Sequence, residues 1–146
     1  LDHKTLYYDV EAFLLYVLTK NDSNDCHFLG YFSKEKHCPQ KYNLSCITVL
    51  PNRQRQGYER FLIELGYLLS QKEGQIGTPE RPLSTNVAQT YEAYWKIKLV
   101  QQLLCYYYKS KDKCILSDLM NETGMTIDDI IDTLQNLGIL TMKSNE

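Results

Sequence analysis

The stretch YNLSCITVLPNRQRQGYERFLIELGYLL, residues 42–69, decides the fold. Its apolar run at residues 44–50 is hydrophobic on both faces, which predicts a strand buried inside a sheet. Pro51 ends that strand because proline has no N–H to donate to a neighbouring strand. Gly57 permits a turn of the backbone, and an amphipathic helix is predicted from Tyr58 onward. We therefore expect a strand, a polar loop and a helix, in that order.

A strand that leads through a glycine-bearing loop to a helix is a potential anion-binding site. The free N–H groups of the first helical turn and the positive end of the helix dipole face the same point. Arg53, Arg55 and Arg60 add positive charge around it. The pattern favours a phosphate-bearing ligand of the nucleotide-cofactor type. An ordinary strand-to-helix turn has the same pattern and is the alternative reading.

Length and composition narrow the class of protein. The 146 residues are enough for one domain with a buried core, and a net charge of −2 disfavours a chain whose main ligand is nucleic acid. The apolar runs are too short to span a bilayer, the first residues do not resemble a signal peptide, and no membrane partner is expected. Five cysteines without a CxxC pair favour a reducing compartment over a disulfide framework. Cys26-His27 and His37-Cys38 lack the ligand spacing of structural zinc sites, so no metal site is predicted.

The flanking residues predict further strands and a long helix. Residues 1–8 and 14–19 predict strands, and a polar turn joins the second of these to a strand at 26–33 as an antiparallel hairpin. Ser84 is expected to cap a long helix that ends at Tyr108. Trp95 lies on the apolar stripe of this helix, which predicts a place in the core.

Residues 111–146 predict a helix-turn-helix segment of the winged-helix kind. Its first helix is expected to end at Gly124, and Thr126 with Asp129 forms a capping box for the second. Six carboxylates against one lysine give residues 115–146 a charge of −5, which would repel a phosphate backbone. We expect this segment to pack on the rest of the domain or to contact a protein partner, without strong nucleic-acid binding.

The literal residues carry a family resemblance. QRQGY after CITVLP resembles the acetyl-coenzyme A motif of the MYST family of lysine (histone) acetyltransferases, and within that family the branch of the monocytic leukaemia zinc-finger protein. Other blocks look like successive pieces of the same catalytic domain, in the same order: LDHKTLYYDVEAF, YFSKEKHCPQKYN, RFLIEL with GYLLS, KEGQIGTPERPLS and YEAYWK. The resemblance implies an α/β (α+β) fold. Residues 1–110 would form a GNAT-like acetyltransferase core with a mixed, mainly antiparallel sheet, and 111–146 a helix-turn-helix segment packed on it.

The resemblance also implies a function. The expected activity is lysine N-acetylation, with acetyl-CoA as donor and histone tails or other lysine-bearing proteins as acceptors, in the nucleus and together with subunits of chromatin complexes. Glu80 matches the general base, and partial burial in a loop stiffened by proline and glycine would make its carboxylate a better proton acceptor. Cys46 matches a cysteine read either as an acetyl-carrying nucleophile or as a bystander, and a buried mid-strand cysteine is usually a small hydrophobe. Direct attack with Glu80 as base is the favoured reading.

The cofactor contacts implied by the resemblance fall in three groups. They are Ile47, Thr48 and Val49 along the pantetheine arm, then Gln54, Arg55, Gln56, Gly57, Tyr58, Glu59 and Arg60 around the pyrophosphate, and finally Ser84. Lys4 matches a lysine that becomes self-acetylated in the family.

Three features depart from the family pattern. Glu59 replaces a small residue, usually glycine, and would either compete with the pyrophosphate for the helix N-terminus or point outward. Thr85-Asn86-Val87 replaces Asp-Leu-Gly, and Gly66 weakens the interior of its helix by roughly 1 kcal/mol relative to alanine. These departures leave open a second function, a weakened or inactive module of the same fold that serves as a protein-interaction domain.

Overall fold

A computed structural model describes residues 10–109 and 114–141. Its elements are a 3₁₀ helix at Val10–Ala12, β1 at Phe13–Asn21, β2 at Cys26–Glu35, β3 at Tyr42–Leu44, β4 at Cys46–Val49, a 3₁₀ helix at Pro51–Arg53, α1 at Tyr58–Lys72, β5 at Thr78–Pro79, α2 at Thr85–Tyr108, α3 at Leu116–Thr123 and α4 at Ile127–Asn136. The predicted mixed α/β class with antiparallel pairing is confirmed. The strand predicted at residues 1–8 lies outside the described residues.

An antiparallel hairpin forms the base of the sheet, as predicted. β1 pairs with β2, and β2 pairs on its other side with β4, so β2 is the central strand of three within the described ranges. The hairpin turn is closed by Asp22, whose side chain accepts hydrogen bonds from the backbone N–H groups of Asn24 and Asp25, both at 2.9 Å. These two bonds lower the pKa of the Asp22 carboxyl group.

The prediction of a single buried strand at residues 44–50 is wrong. The chain breaks at Ser45 into two short strands that belong to different sheets: β3 pairs in parallel with β5, whereas β4 pairs antiparallel with β2. The Ser45 N–H donates to the carbonyl oxygen of Ser33 at 2.8 Å, and at this residue the chain passes from one sheet to the other. The run is apolar because Leu44 and Val49 are both buried, while Thr48 on the edge strand β4 is exposed.

One hydrophobic core joins the sheet to the helices. It includes Phe32, Leu44, Val49, Leu62, Ile63, Tyr67, Tyr91, Trp95, Leu99, Leu119, Met125, Ile130 and Leu134. Trp95 is buried, as its position on the apolar stripe predicted, and its Nε1–H donates to the Tyr67 hydroxyl at 2.8 Å. Burying each large apolar side chain contributes about 1.5–3 kcal/mol, so α3 and α4 are held to the rest of the domain by this shared core.

The helix boundaries follow the local signals. Pro51 ends β4 and Gly57 precedes α1, as predicted. Gly124 adopts a left-handed φ of 72° and ends α3. Thr126 caps α4 by accepting from the Asp129 N–H at 3.4 Å, which is half of the predicted capping box. Within the described residues, no helix combines the length and the apolarity that a membrane crossing requires.

Candidate active site

A cleft of about 560 Å³ lies between β4 and the first turns of α2, and the start of α1 closes one side of it. Its walls are formed by Ile47, Thr48, Val49, Gln54, Arg55, Glu59, Ile63, Asn86, Val87, Gln89, Thr90 and Ala93. The volume is within the range of small-molecule sites, which is about 300–1,000 Å³. Six of the residues expected to contact a cofactor therefore share one cavity.

The loop before α1 has an unusual backbone. Arg55 has a φ of 59°, which costs a non-glycine residue about 1–2 kcal/mol, and Gly57 has a φ of 89°. No side chain caps α1, and the Phe61 N–H is bonded to the Gly57 carbonyl oxygen at 3.0 Å. The N–H groups of the preceding helical residues therefore have no intrahelical acceptor. Such a helix end attracts an anion.

Gln54 joins this loop to the adjacent strand. Its Nε2 donates to the Val49 carbonyl oxygen at 3.2 Å, and Gln56 Nε2 donates to the Asn52 carbonyl oxygen at the same distance. Both bonds keep the loop folded between β4 and α1.

Glu59 contributes to the wall of the cleft, together with Arg55. Of the two orientations left open by the sequence, the structure has the one that faces the cavity. A carboxylate at the first turn of α1 suits the helix dipole but competes with a bound anion for the same positive charge. Arg55 lines the same cleft and carries the opposite charge.

Glu80 follows directly after β5, and its backbone is held by the neighbouring strand. The Glu80 N–H donates to the Leu44 carbonyl oxygen at 3.1 Å, two residues before Cys46. The residue is partly buried, and its Oε2 atom is shielded from solvent. The hydrogen bond thus ties the carboxylate-bearing loop to the junction between β3 and β4.

Cys46 is the first residue of β4 and lies opposite Ser33 on β2. It is a free thiol and partly buried, so it is less enclosed than the mid-strand hydrophobe that the sequence suggested. Cys46 is absent from the residues that line the cleft, and it directly precedes Ile47, which does line it. Cys46 therefore adjoins the cleft in sequence without forming part of its wall.

The remaining predicted residues do not all reach this cavity. Gln56, Gly57 and Tyr58 line a separate groove of about 400 Å³ on the β1–β2 side of the loop. Arg60 is exposed in the first turn of α1, and Ser84 is exposed immediately before α2 without a side-chain capping bond. Lys4 lies outside the described residues.

Sequence reasoning missed the second wall of the cleft. Asn86, Gln89, Thr90 and Ala93 line it from α2, at positions three and four apart that lie on one helical face. This spacing was a signal that could have been found. A polar face on a long helix normally faces water, so the spacing by itself does not indicate a cleft wall.

Possible metal ligands are not clustered in the described part of the chain. No group of three or more His, Cys, Asp or Glu residues there is arranged to hold a metal ion. No disulfide joins the cysteines in this part of the chain, which are Cys26, Cys38, Cys46, Cys105 and Cys114.

The fold and the cleft define a mixed α/β domain in which a helix N-terminus and a polar loop close a ligand-sized cavity. Comparison with known families identifies it further: residues 1–146 match the family described as MOZ/SAS, and the chain belongs to that family. This confirms the predicted MYST membership.

Several curated proteins are similar over nearly all of this chain. Histone acetyltransferase KAT6A of Homo sapiens is 53% identical over 146 residues, which is all of this chain and 7% of that protein. Histone acetyltransferase KAT6B of Homo sapiens is 54% identical over 140 residues, 96% of this chain and 7% of that protein. A putative MYST-like histone acetyltransferase 1 of Oryza sativa subsp. japonica is 48% identical over 146 residues, which is all of this chain and 32% of that protein. The chain therefore spans a small part of each of these relatives.

Proposed function

We propose that this domain transfers an acetyl group from acetyl-CoA to lysine side chains. The observation that carries the proposal is the cleft between β4 and α2, closed by the uncapped N-terminus of α1, with Glu80 bonded to the strand that precedes β4. The similar proteins of human and rice are named histone acetyltransferases. We extend that activity to residues 1–110 as the catalytic core, with 111–146 as the segment packed on it.

Two parts of the cleft match two parts of the acetyl donor. The backbone of Ile47, Thr48 and Val49 would hold the pantetheine arm as an added strand is held, since β4 is an edge of the described sheet. The amides at the start of α1 and the Arg55 guanidinium would hold the pyrophosphate. Bound acetyl-CoA supplies the thioester acetyl group. The other expected contacts with the pyrophosphate are Gln54, Gln56, Gly57, Tyr58, Glu59 and Arg60, with Ser84 as a further contact. Of these, Gln54 and Glu59 line the cleft, whereas Gln56, Gly57 and Tyr58 line the neighbouring groove.

Glu80 is proposed as the general base. The amine of lysine is protonated near neutral pH because its pKa is about 10.4, so a base must accept a proton before nitrogen can attack. A partly buried carboxylate anchored through its own backbone N–H meets this need. Cys46 is proposed to have a secondary role near the reacting centre, and direct attack by lysine is favoured over an acetyl-cysteine intermediate.

The acceptors are proposed from the names of the similar proteins. Histone tails are the first candidates, followed by other lysine-bearing proteins, with a nuclear location and subunits of chromatin complexes as partners. Lys4 is proposed as a site of self-acetylation. Mass spectrometry of recombinant protein incubated with acetyl-CoA tests that assignment, and a Lys4→Arg variant is its control.

Transfer of labelled acetyl groups from acetyl-CoA to core histones tests the proposed function. Time- and enzyme-dependent labelling of lysine supports it. The absence of labelling from a folded protein with saturating donor rejects it.

The alternative function is an inactive module that binds a protein partner. Glu59 in the wall of the cleft is the observation that favours it, because this carboxylate opposes the bound pyrophosphate. Isothermal titration with acetyl-CoA separates the two functions. Micromolar binding supports the enzyme, whereas no binding at millimolar donor supports the module.

A further inference from the structure

Asp129 and Arg81 link the C-terminal helices to the loop that carries Glu80. The Arg81 Nη2–H donates to Asp129 Oδ1 at 2.8 Å, across 48 residues of sequence. The Asp129 side chain is only 3% exposed, whereas the Arg81 side chain is 56% exposed. The acid is therefore a buried charge of α4, and its partner is the residue directly after Glu80.

A buried carboxylate needs a partner of opposite charge. Breaking such a pair typically costs about 3–5 kcal/mol, because an uncompensated charge is left in the interior. The polar groups near Asp129 include the hydroxyls of Tyr67 and Tyr91, and burial raises the pKa of both, with the Asp129 charge raising it further. Both hydroxyls stay neutral at physiological pH. The compensating charge therefore comes from Arg81.

The Arg81 side chain has a second support. Its guanidinium carbon lies 6.0 Å from the centroid of the Trp95 ring, within the range of a cation–π contact. Trp95 is itself fixed by its bond to the Tyr67 hydroxyl. Arg81 is thus held on one side by α4 and on another by α2.

The same loop is also fixed through its backbone. The Gly77 N–H donates to the Gly124 carbonyl oxygen at 2.9 Å, and the Glu80 N–H donates to the Leu44 carbonyl oxygen at 3.1 Å. The loop consequently lies between β3 on one side and the C-terminal segment on the other. The Asp129 ion pair is the charged component of this support.

We propose that Asp129 is a positioning residue for acetyl transfer, acting through Arg81 on the backbone that carries Glu80. This inference rests on the proposed function of Glu80 as general base. Displacing a reacting group by about 1 Å can cost on the order of 100-fold in rate, so the ion pair affects kcat without touching substrate. It gives α3 and α4 a role in catalysis beyond packing.

The experiment compares Asp129→Asn with Asp132→Asn, an exposed acid on the same helix. Asp129→Asn keeps the backbone N–H that Thr126 accepts, so the capping bond of α4 is retained. We expect kcat to fall about tenfold or more in Asp129→Asn, with the Kd for acetyl-CoA unchanged within about twofold. Asp132→Asn should match the wild type in both quantities.

A second pair of variants tests the link at its other end. Arg81→Lys keeps a cation and should retain more of kcat than Arg81→Met, at equal Kd for acetyl-CoA. Unfolding by urea is followed in parallel. Two results overturn the proposal and leave a purely structural ion pair. One is an Asp129→Asn protein that loses stability but keeps the wild-type kcat, and the other is an equal kcat in the two Arg81 variants. If Asp129→Asn fails to fold, the comparison of the exposed Arg81 variants decides.

Hydrogen exchange tests the link between Asp129 and the Glu80 backbone without measuring activity. The Glu80 amide, protected by its bond to Leu44, should exchange faster in Asp129→Asn than in Asp132→Asn. If the wild type transfers no acetyl group, the proposed function fails, and faster exchange at Glu80 still supports the positioning link. Unchanged exchange at Glu80 rejects that link whatever the activity.

Discussion

Leu44 packs directly against Gly66. A Cβ atom placed on Gly66 would lie 2.6 Å from Cδ2 and 2.8 Å from Cγ of Leu44, closer than real Cβ atoms are found. Leu44 is 2% exposed and cannot move into solvent. Gly66, which the sequence marked only as a weak point of α1, therefore allows the helix to approach β3, the strand to which Glu80 is bonded.

The first prediction concerns this contact. Gly66→Ala should lower the free energy of unfolding by up to about 2 kcal/mol, because overpacking costs about 1–3 kcal/mol and the gain in helix propensity offsets about 1 kcal/mol of that cost. Urea unfolding measures the change. Combining it with Leu44→Val, which shortens the opposing side chain, should recover part of the loss. A Gly66→Ala protein that is more stable than the wild type would show that β3 and α1 are less tightly packed than described.

The second prediction concerns Glu59 in the cleft. Repulsion of a bound diphosphate is worth of order 1 kcal/mol in water-like surroundings, so Glu59→Gln should bind acetyl-CoA about fivefold more tightly. The difference should shrink at high salt, because ions screen the charge. Calorimetric titration measures it, with Glu64→Gln, an exposed acid of α1 outside the cleft wall, as the control. Equal or weaker binding by Glu59→Gln would mean that this carboxylate does not oppose the donor.

The third prediction separates the two candidate catalytic groups. Glu80→Gln should lower kcat by about 10²–10⁴-fold, the contribution of general-base catalysis, whereas Cys46→Ala should cost less than about tenfold. Steady-state kinetics on a histone peptide measure both, with the exposed Glu92→Gln as the control. Equal, near-total losses in both variants contradict direct attack. Isolation of an acetyl-cysteine at position 46 would replace it with the two-step mechanism.

The fourth prediction concerns stability at alkaline pH. Burial raises the pKa of Tyr91 above the ordinary value near 10, so the unfolded chain loses this proton at lower pH than the native protein. The stabilisation is fully present below about pH 10 and is lost as pH rises toward the native pKa, at about 1.4 kcal/mol per unit. Tyr91→Phe should therefore reduce the fall in unfolding free energy between about pH 10 and about pH 11.

The same variant should be tolerated at neutral pH. The Tyr91 hydroxyl is buried and has no hydrogen-bond partner among the described residues, so its removal leaves no group newly unpaired. Tyr107→Phe, at an exposed position, is the control and should leave the alkaline slope as it is in the wild type. An unchanged slope in Tyr91→Phe would mean that this tyrosine ionises as readily in the folded protein as in the unfolded one.

Local signals were predicted well from the sequence. Proline and glycine act on their immediate neighbours, so Pro51 and Gly57 located the loop before α1, and Gly124 located the end of α3. The hairpin of β1 and β2 followed from its polar turn. These features depend on a few consecutive residues and need no knowledge of the fold.

Features that depend on distant partners were not predicted. The break at Ser45 depends on which strands pair with β3 and β4, and an apolar run does not contain that information. The buried face of α1 also depends on distant partners, since Phe61 and Leu68 are about half exposed while Ile63 and Tyr67 are buried. The bond from Arg81 to Asp129 has no local pattern at all, and the capping box had suggested a different donor to that carboxylate, the backbone N–H of Thr126.

Ser45 divides the chain into two segments with separate attachments. The residues before it support the loop of Glu80, whereas those after it line the cleft. Redesigning the cleft for a longer acyl donor, for instance by a smaller side chain at Thr48, need not alter the support of Glu80, the proposed base. On the proposed function, donor selectivity and proton transfer are thus separable targets for protein engineering.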